Sequence, residues 1–128
     1  VKRTFRDICK RYDYITVEGS GGILCPICFD EAKIQLEDVI KELDLSSIIV
    51  ADAGLGTIND VVLTAEYMNS KNLPVKGIIF NHWHGENIME EDNKFMCEYM
   101  TGLKVLACVG DDARDIDIDT DILTSLYE

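Results

Sequence analysis

Positive charge is scarce in this sequence: 12 Lys and Arg stand against 24 Asp and Glu, a formal net charge of −12. A field of that sign repels phosphate backbones and anionic membrane surfaces, so nucleic acid and membrane are poor partners. No apolar run reaches the roughly 18 residues of a membrane-spanning helix, and no basic-then-apolar signal segment opens the chain. Repeats and low-complexity linkers are missing too. The five cysteines are odd in number and scattered through apparently regular structure, which argues against a disulfide framework and for a reducing, cytoplasmic compartment. What is there is ordinary: 128 residues, 47% hydrophobic and 28% charged, suit one packed domain rather than a disordered, collagenous or coiled-coil chain.

Short apolar runs alternate with amphipathic stretches, the pattern of βα units. Val1 to Arg11 reads as the end of a helix, with Phe5, Ile8 and Cys9 on one face. Tyr14 to Val17, aromatic and β-branched, reads as a buried strand running into the glycine-rich loop Glu18 to Gly22. Leu36, Val39, Ile40 and Leu43 recur at helical spacing within Ile34 to Leu43. Ser47 to Ala51, Val75 to Phe80 and Val105 to Val109 read as three further strands. Helices are expected at Ile58 to Lys71, Glu91 to Met100 and Ile122 to Tyr127. Four apolar strands separated by helices predict an α/β fold, a three-layer arrangement of a parallel sheet flanked by helices on both faces. Ligands are then expected at the carboxyl ends of the strands, where Glu18 to Gly22, Asp52 to Asn59, Asn81 to His84 and Gly110 to Ala113 lie.

A carboxylate at a strand end, such as Glu18, can hold Mg²⁺ beside a phosphate, and Gly19, Gly21 and Gly22 let backbone amides approach an anion. The plainer alternative is a turn whose glutamate faces water. Asp52-Ala53-Gly54-Leu55-Gly56-Thr57-Ile58-Asn59 is a strand-to-helix turn whose free amides and helix dipole favour an anion; alternatively, Thr57 or Asn59 merely caps the helix. It is not a dinucleotide fingerprint, because Asn59 stands at the third glycine position. Cys25-Pro26-Ile27-Cys28 is a lone C-x-x-C without a second ligand pair and reads as packing thiols. His82 and His84 flank Trp83 in a polar loop, a placement that often carries no task, whereas Asn81 is a strand-end amide able to read a purine edge. The acidic run from Asp111 to Asp121 lacks the glycine of a calcium loop and reads as a solvated face.

Val17-Glu18-Gly19-Ser20-Gly21-Gly22, Gly54-Leu55-Gly56-Thr57-Ile58-Asn59 and Gly77-Ile78-Ile79-Phe80-Asn81, in this order and spacing, closely resemble the dethiobiotin synthetase family over about Tyr12 to Val109. The resemblance implies a P-loop NTPase-like fold and a homodimeric enzyme of biotin synthesis. It implies a reaction in which 7,8-diaminopelargonate and CO₂ form a carbamate, ATP phosphorylates it, and the ureido ring closes with release of phosphate. By the same resemblance Glu18 is the Mg²⁺ ligand and catalytic carboxylate. Gly19, Ser20, Gly21 and Gly22 line the phosphate and carbamate region, and Asn81 recognises adenine. Leu55, Gly56, Thr57 and Asn59 hold the substrate carboxylate across the dimer. After Gly110 the family's proline-containing nucleotide loop is replaced by Asp111-Asp112-Ala113.

The pattern G-x-x-x-x-G-K-[ST] occurs nowhere, and no glycine is followed by lysine. The resemblance therefore implies a single partial α/β domain over residues 1–128, the C-terminal portion of such a synthetase without its N-terminal Walker A unit, inactive alone. An apolar sheet edge and face are expected to be uncovered. Two other readings stand beside it. One is a stand-alone carboxylate- or nucleotide-binding module; the other is an amidase of the same superfamily, which would need a glutamine-hydrolysing cysteine that these residues do not supply.

Overall fold

The computed structural model describes all residues, 1–128, and divides into two compact units. The first comprises Val1–Ser46 with Tyr127, the second Ser47–Leu126 with Glu128.

In the first unit, α1 spans Lys2–Cys9, β1 Pro26–Cys28, β2 Ile34–Gln35 and α2 Leu36–Leu43. β1 and β2 form a small antiparallel pair. α2 starts on a capping box in which Gln35 and Asp38 satisfy each other's backbone amides, and it ends on Asp44 in the left-handed conformation. α1 packs against α2, where Lys2 pairs with Glu42. The expected strand Tyr14 to Val17 is not formed: the segment has no regular structure, and Tyr14 and Val17 are exposed. Its aromatic and β-branched composition suits a pleated neighbour, but the β1–β2 pair does not extend to it. Tyr14 instead rests edge-on against Tyr127, and Thr16 shares a hydrogen bond with the Tyr127 hydroxyl.

The second unit holds β3 (Ser47–Asp52), α3 (Thr57–Ser70), β4 (Val75–Asn81), α4 (Ile88–Thr101), β5 (Val105–Cys108) and α5 (Thr120–Ser125). The three strands form one parallel sheet in the order β3-β4-β5, and the chain is an α/β protein with helices flanking that sheet. Each of the three strands lies where its apolar run predicts, with α3 and α4 as the crossovers that parallel pairing demands. The expected count of four strands falls to three because Tyr14 to Val17 stays outside the sheet.

α3 packs on β3, β4 and α4, and Ile49, Val61, Met68, Ile78, Phe80, Cys97 and Ala107 form the buried core. Along β3 burial alternates: Ile49 is buried while Ile48 and Val50 are exposed, Val50 by 65%. Along this strand one face is covered and the other is open at Ile48 and Val50. No helix is long and apolar enough to cross a membrane.

Candidate functional site

The carboxyl ends of β3 and β4 meet at the pair Asp52 and Asn81. Beyond it the Ala53 amide donates to the Asn81 carbonyl at 2.9 Å, so the turn entering α3 is anchored on the strand end that carries the Asn81 amide. Asp52 accepts from the Gly54 amide at 2.7 Å, which tightens the turn. Gly56 precedes the helix with φ +94°, a left-handed conformation that favours glycine. No side chain caps α3: Thr57 is the first helical residue, and the Asn59 amide turns to Asp60 at 3.2 Å. The expected alternative of a Thr57 or Asn59 cap is therefore not realised. The first-turn amides keep no side-chain acceptor, and the positive end of a 14-residue helix dipole stands with them. The Thr57 hydroxyl is buried without a hydrogen-bond partner, alone among the buried side-chain polar atoms.

Leu55, Gly56 and Asn59 line an open, mainly apolar depression of about 500 Å³ together with Val62, Leu63 and Met100. Leu55 stands 94% exposed at its rim. Asn93 on α4 was not singled out by sequence, yet it holds this turn. Buried at 7% exposure, its side-chain amide donates to the carbonyls of Ala53 and Gly54, both at 2.9 Å. Two carbonyl partners can be satisfied only by the NH₂ end of the amide, so its orientation is fixed by chemistry. Position 93 carries no local cue, since its partners lie 39 and 40 residues away.

The polar loop after β4 is more organised than its sequence suggests. His82, at φ +54°, places Nδ1 2.7 Å from Asp111 Oδ1. His84 faces Glu90 Oε1 through Nδ1 at 2.8 Å and Asp111 Oδ2 through Nε2 at 3.4 Å. Glu90, nearly fully buried on α4, also accepts from the His84 amide at 2.8 Å and the Asn87 amide group at 3.0 Å. The hydrogen bond to Asp111 raises the pKa of His82, and that to Glu90 raises the pKa of His84. The His84 amide, foremost, holds Glu90 below the ordinary carboxylate range, and the His82 hydrogen bond does the same for Asp111. Trp83 stacks on the buried Phe80 with centroids 6.3 Å apart, and Lys94 sits 5.9 Å from its ring centre. The ring is used for packing. The acidic run is accordingly not a uniform solvated face: Asp111 is paired, and Asp119 caps α5 by accepting from the Asp121 and Ile122 amides.

Glu18, Gly19, Ser20, Gly21 and Gly22 lie in the first unit, exposed and outside any strand, so Glu18 does not end a buried strand as expected. Gly21 has φ +129°, and a Cβ there would come within 2.9 Å of Cys25 Sγ, so the turn requires glycine. Cys25 and Cys28 are free and half-buried. No group of three or more His, Cys, Asp or Glu side chains is arranged to hold a metal.

A family model described as an AAA domain matches residues 1–114. The ATP-dependent dethiobiotin synthetase of Brachyspira hyodysenteriae is 54% identical over 118 residues, which cover 91% of this chain and 53% of that protein. The enzyme of the same name from Clostridium botulinum strain Loch Maree is 44% identical over 128 residues, all of this chain and 56% of its own. That of strain Alaska E43 is 46% identical over 124 residues, covering 97% and 54%. The chain spans about half the length of the curated relatives it matches. With its parallel sheet, its glycine-marked strand ends and a match over most of its length, the chain belongs to the AAA-domain family, and its relatives there are ATP-dependent dethiobiotin synthetases.

Proposed function

We propose that these residues are the C-terminal part of a single α/β domain of a cytoplasmic, homodimeric ATP-dependent dethiobiotin synthetase. Its substrates are 7,8-diaminopelargonate, CO₂ and ATP, and its products are dethiobiotin, ADP and phosphate. The observation that carries the reading is the junction of β3 and β4. There Asn81, whose side-chain amide makes no hydrogen bond inside the chain, shares a strand end with the uncapped start of α3. Asn81 offers a donor and an acceptor to the edge of adenine. The α3 amides and dipole hold a carboxylate between Leu55, Gly56, Thr57 and Asn59, and the apolar depression beside them suits the alkyl chain of such a substrate.

Mg²⁺ needs only one or two protein carboxylates when phosphate oxygens and water complete its shell. Glu18 is exposed and has neither ion-pair nor hydrogen-bond partner, so its oxygens are available for that role. Held there, the ion would neutralise charge on the phosphates. Gly19, Ser20, Gly21 and Gly22 would line the phosphate and carbamate region beside it. The lysine and amides of a phosphate loop, which supply much of the stabilisation in phosphoryl transfer, are not among these 128 residues. We infer that the residues are inactive by themselves.

Steady-state kinetics on the full-length protein test the assignments. Asn59→Ala is expected to raise KM for the diamine about tenfold or more with little change for ATP, and Asn81→Ala to do the reverse. Glu18→Gln should lower kcat and weaken the dependence on Mg²⁺. Equal effects of the two asparagine variants on both substrates would overturn the division of roles.

A further inference from the structure

We propose that His82, His84, Glu90 and Asp111 form a proton-dependent latch tying the segment after β4 to the segment after β5. A neutral imidazole has one N–H donor, and an ionised carboxylate only accepts. His84 faces a carboxylate oxygen from each ring nitrogen, Glu90 from Nδ1 at 2.8 Å and Asp111 from Nε2 at 3.4 Å. The hydrogen bond to Glu90 and the ion pair with Asp111 are favourable together only when the ring is the doubly protonated cation. Removal of one proton therefore breaks one side of the bridge. The buried Glu90, with two further fixed donors in the His84 main-chain amide and the Asn87 side chain, keeps its share, and the longer arm to Asp111 is the one released.

His82 adds a second arm to the same carboxylate through its 2.7 Å contact with Asp111 Oδ1. The latch spans three places in the chain: the loop after β4, the first turn of α4 and the loop after β5. Its backbone is held in uncommon conformations, with His82, Glu86 and Asp112 at φ +54°, +51° and +58°. Non-glycine residues persist there when surrounding contacts hold them. Two main-chain hydrogen bonds run alongside, the Trp83 amide to the Val109 carbonyl at 2.9 Å and the Val109 amide to the Phe80 carbonyl at 2.7 Å. These amides report whether the loops are tied.

The charged groups facing the histidines set the direction. Asp111 and Asp52 favour protonated His82, which His84 opposes, and Glu90 and Asp111 favour protonated His84. Both histidines are raised above their ordinary value of about 6.5, so their contribution is complete below that value and is lost as pH rises through the raised one. Asp111 and Glu90 are lowered, so their contribution is lost only as pH falls through values below the ordinary carboxylate range. The latch is fully closed between those limits and loosens on the alkaline side, where His84 releases Asp111 and neutral His82 keeps Asp111 by a single uncharged hydrogen bond. It does not depend on the assignment of Asn81, and ligand-free protein suffices to test it.

The chain has two histidines, so imidazole NMR titration of the 128-residue protein gives two curves. The expected result is that both titrate above the ordinary value, that Asp111→Asn lowers both, and that Glu90→Gln lowers mainly His84. Hydrogen-exchange protection of the Trp83 and Val109 amides, corrected for intrinsic rate, should fall about tenfold between pH 6 and pH 9. The Ile78 amide, bonded to Lys104 inside the sheet, should change little. Asp111→Asn, at a half-exposed side chain, should show the low protection already at pH 6. Histidine curves unmoved by Asp111→Asn would overturn the latch. So would protection at Trp83 and Val109 that follows Ile78 at every pH.

Discussion

Asn93 shows how one buried amide can shape a binding turn from across the fold. Its NH₂ group is the partner of two carbonyls, those of Ala53 and Gly54. Asn93→Ala leaves the buried Ala53 carbonyl unpaired and the Gly54 carbonyl with only the Thr57 amide at 3.4 Å, at a cost of about 1–3 kcal/mol, which a urea unfolding curve should show as a lower midpoint with an unchanged slope. Asn93→Asp should be worse at neutral pH, because a carboxylate would face two carbonyl oxygens. The neutral acid, however, can donate to one of them, so the introduced carboxyl is expected to titrate above its ordinary value. The folded state then binds the extra proton, and this variant should regain stability as the pH falls toward 5. A variant as stable as Asn93→Ala at every pH would show that the turn is held by something else.

At the scale of elements, β4 and β5 fit each other through a glycine. A Cβ at Gly77 would lie 2.6, 2.8 and 2.9 Å from Cγ, Cδ1 and Cδ2 of Leu106, too close for the base of that side chain to step aside alone. Gly77→Ala should therefore destabilise the protein by about 1–3 kcal/mol. Combining it with Leu106→Ala should cost less than the sum of the two single changes, a coupling that a double-mutant cycle measures. This contact was invisible in sequence, although the strands bearing it were not. β3, β4 and β5 were legible because uninterrupted runs such as Ser47 to Ala51 are stable only when buried on neighbours, and α3 and α4 because their apolar spacing is local. Tyr14 to Val17 misled for the converse reason: strand composition states a preference, and a strand exists only where a neighbour accepts its hydrogen bonds. The strand-end asparagine and the glycine turn of the candidate site could be picked out from local pattern. Asn93, and the pairing of His82 with Asp111 across 29 residues, could not, since contacts between distant residues leave no periodic trace.

At the scale of the whole molecule, apolar surface and net charge oppose one another. In the second unit Leu55, Ile88, Tyr99, Val50, Phe95 and Leu63 are between 61% and 94% exposed, more than the scattered apolar residues usual on a monomer's surface. Leu55 and Leu63 belong to the same depression, together with the half-exposed Met100. Covering such residues is worth roughly 25 cal/mol per Å² of apolar area removed from water, which favours association of two copies as the proposed homodimer requires. Each copy carries a charge of −12, so two copies repel one another over the screening length, about 10 Å at 0.1 M salt. Added salt shortens that range and strengthens apolar association, so both effects act in one direction. Sedimentation equilibrium on the 128-residue protein should show an association constant rising several-fold between 0.05 and 0.5 M NaCl. Leu63→Glu adds a charge to the depression on an already exposed helical position and should reduce association at every salt concentration without lowering the unfolding midpoint by more than a few degrees. A constant that falls with salt would mean that polar contacts hold the copies together, and association unaffected by Leu63→Glu would place the interface away from this face.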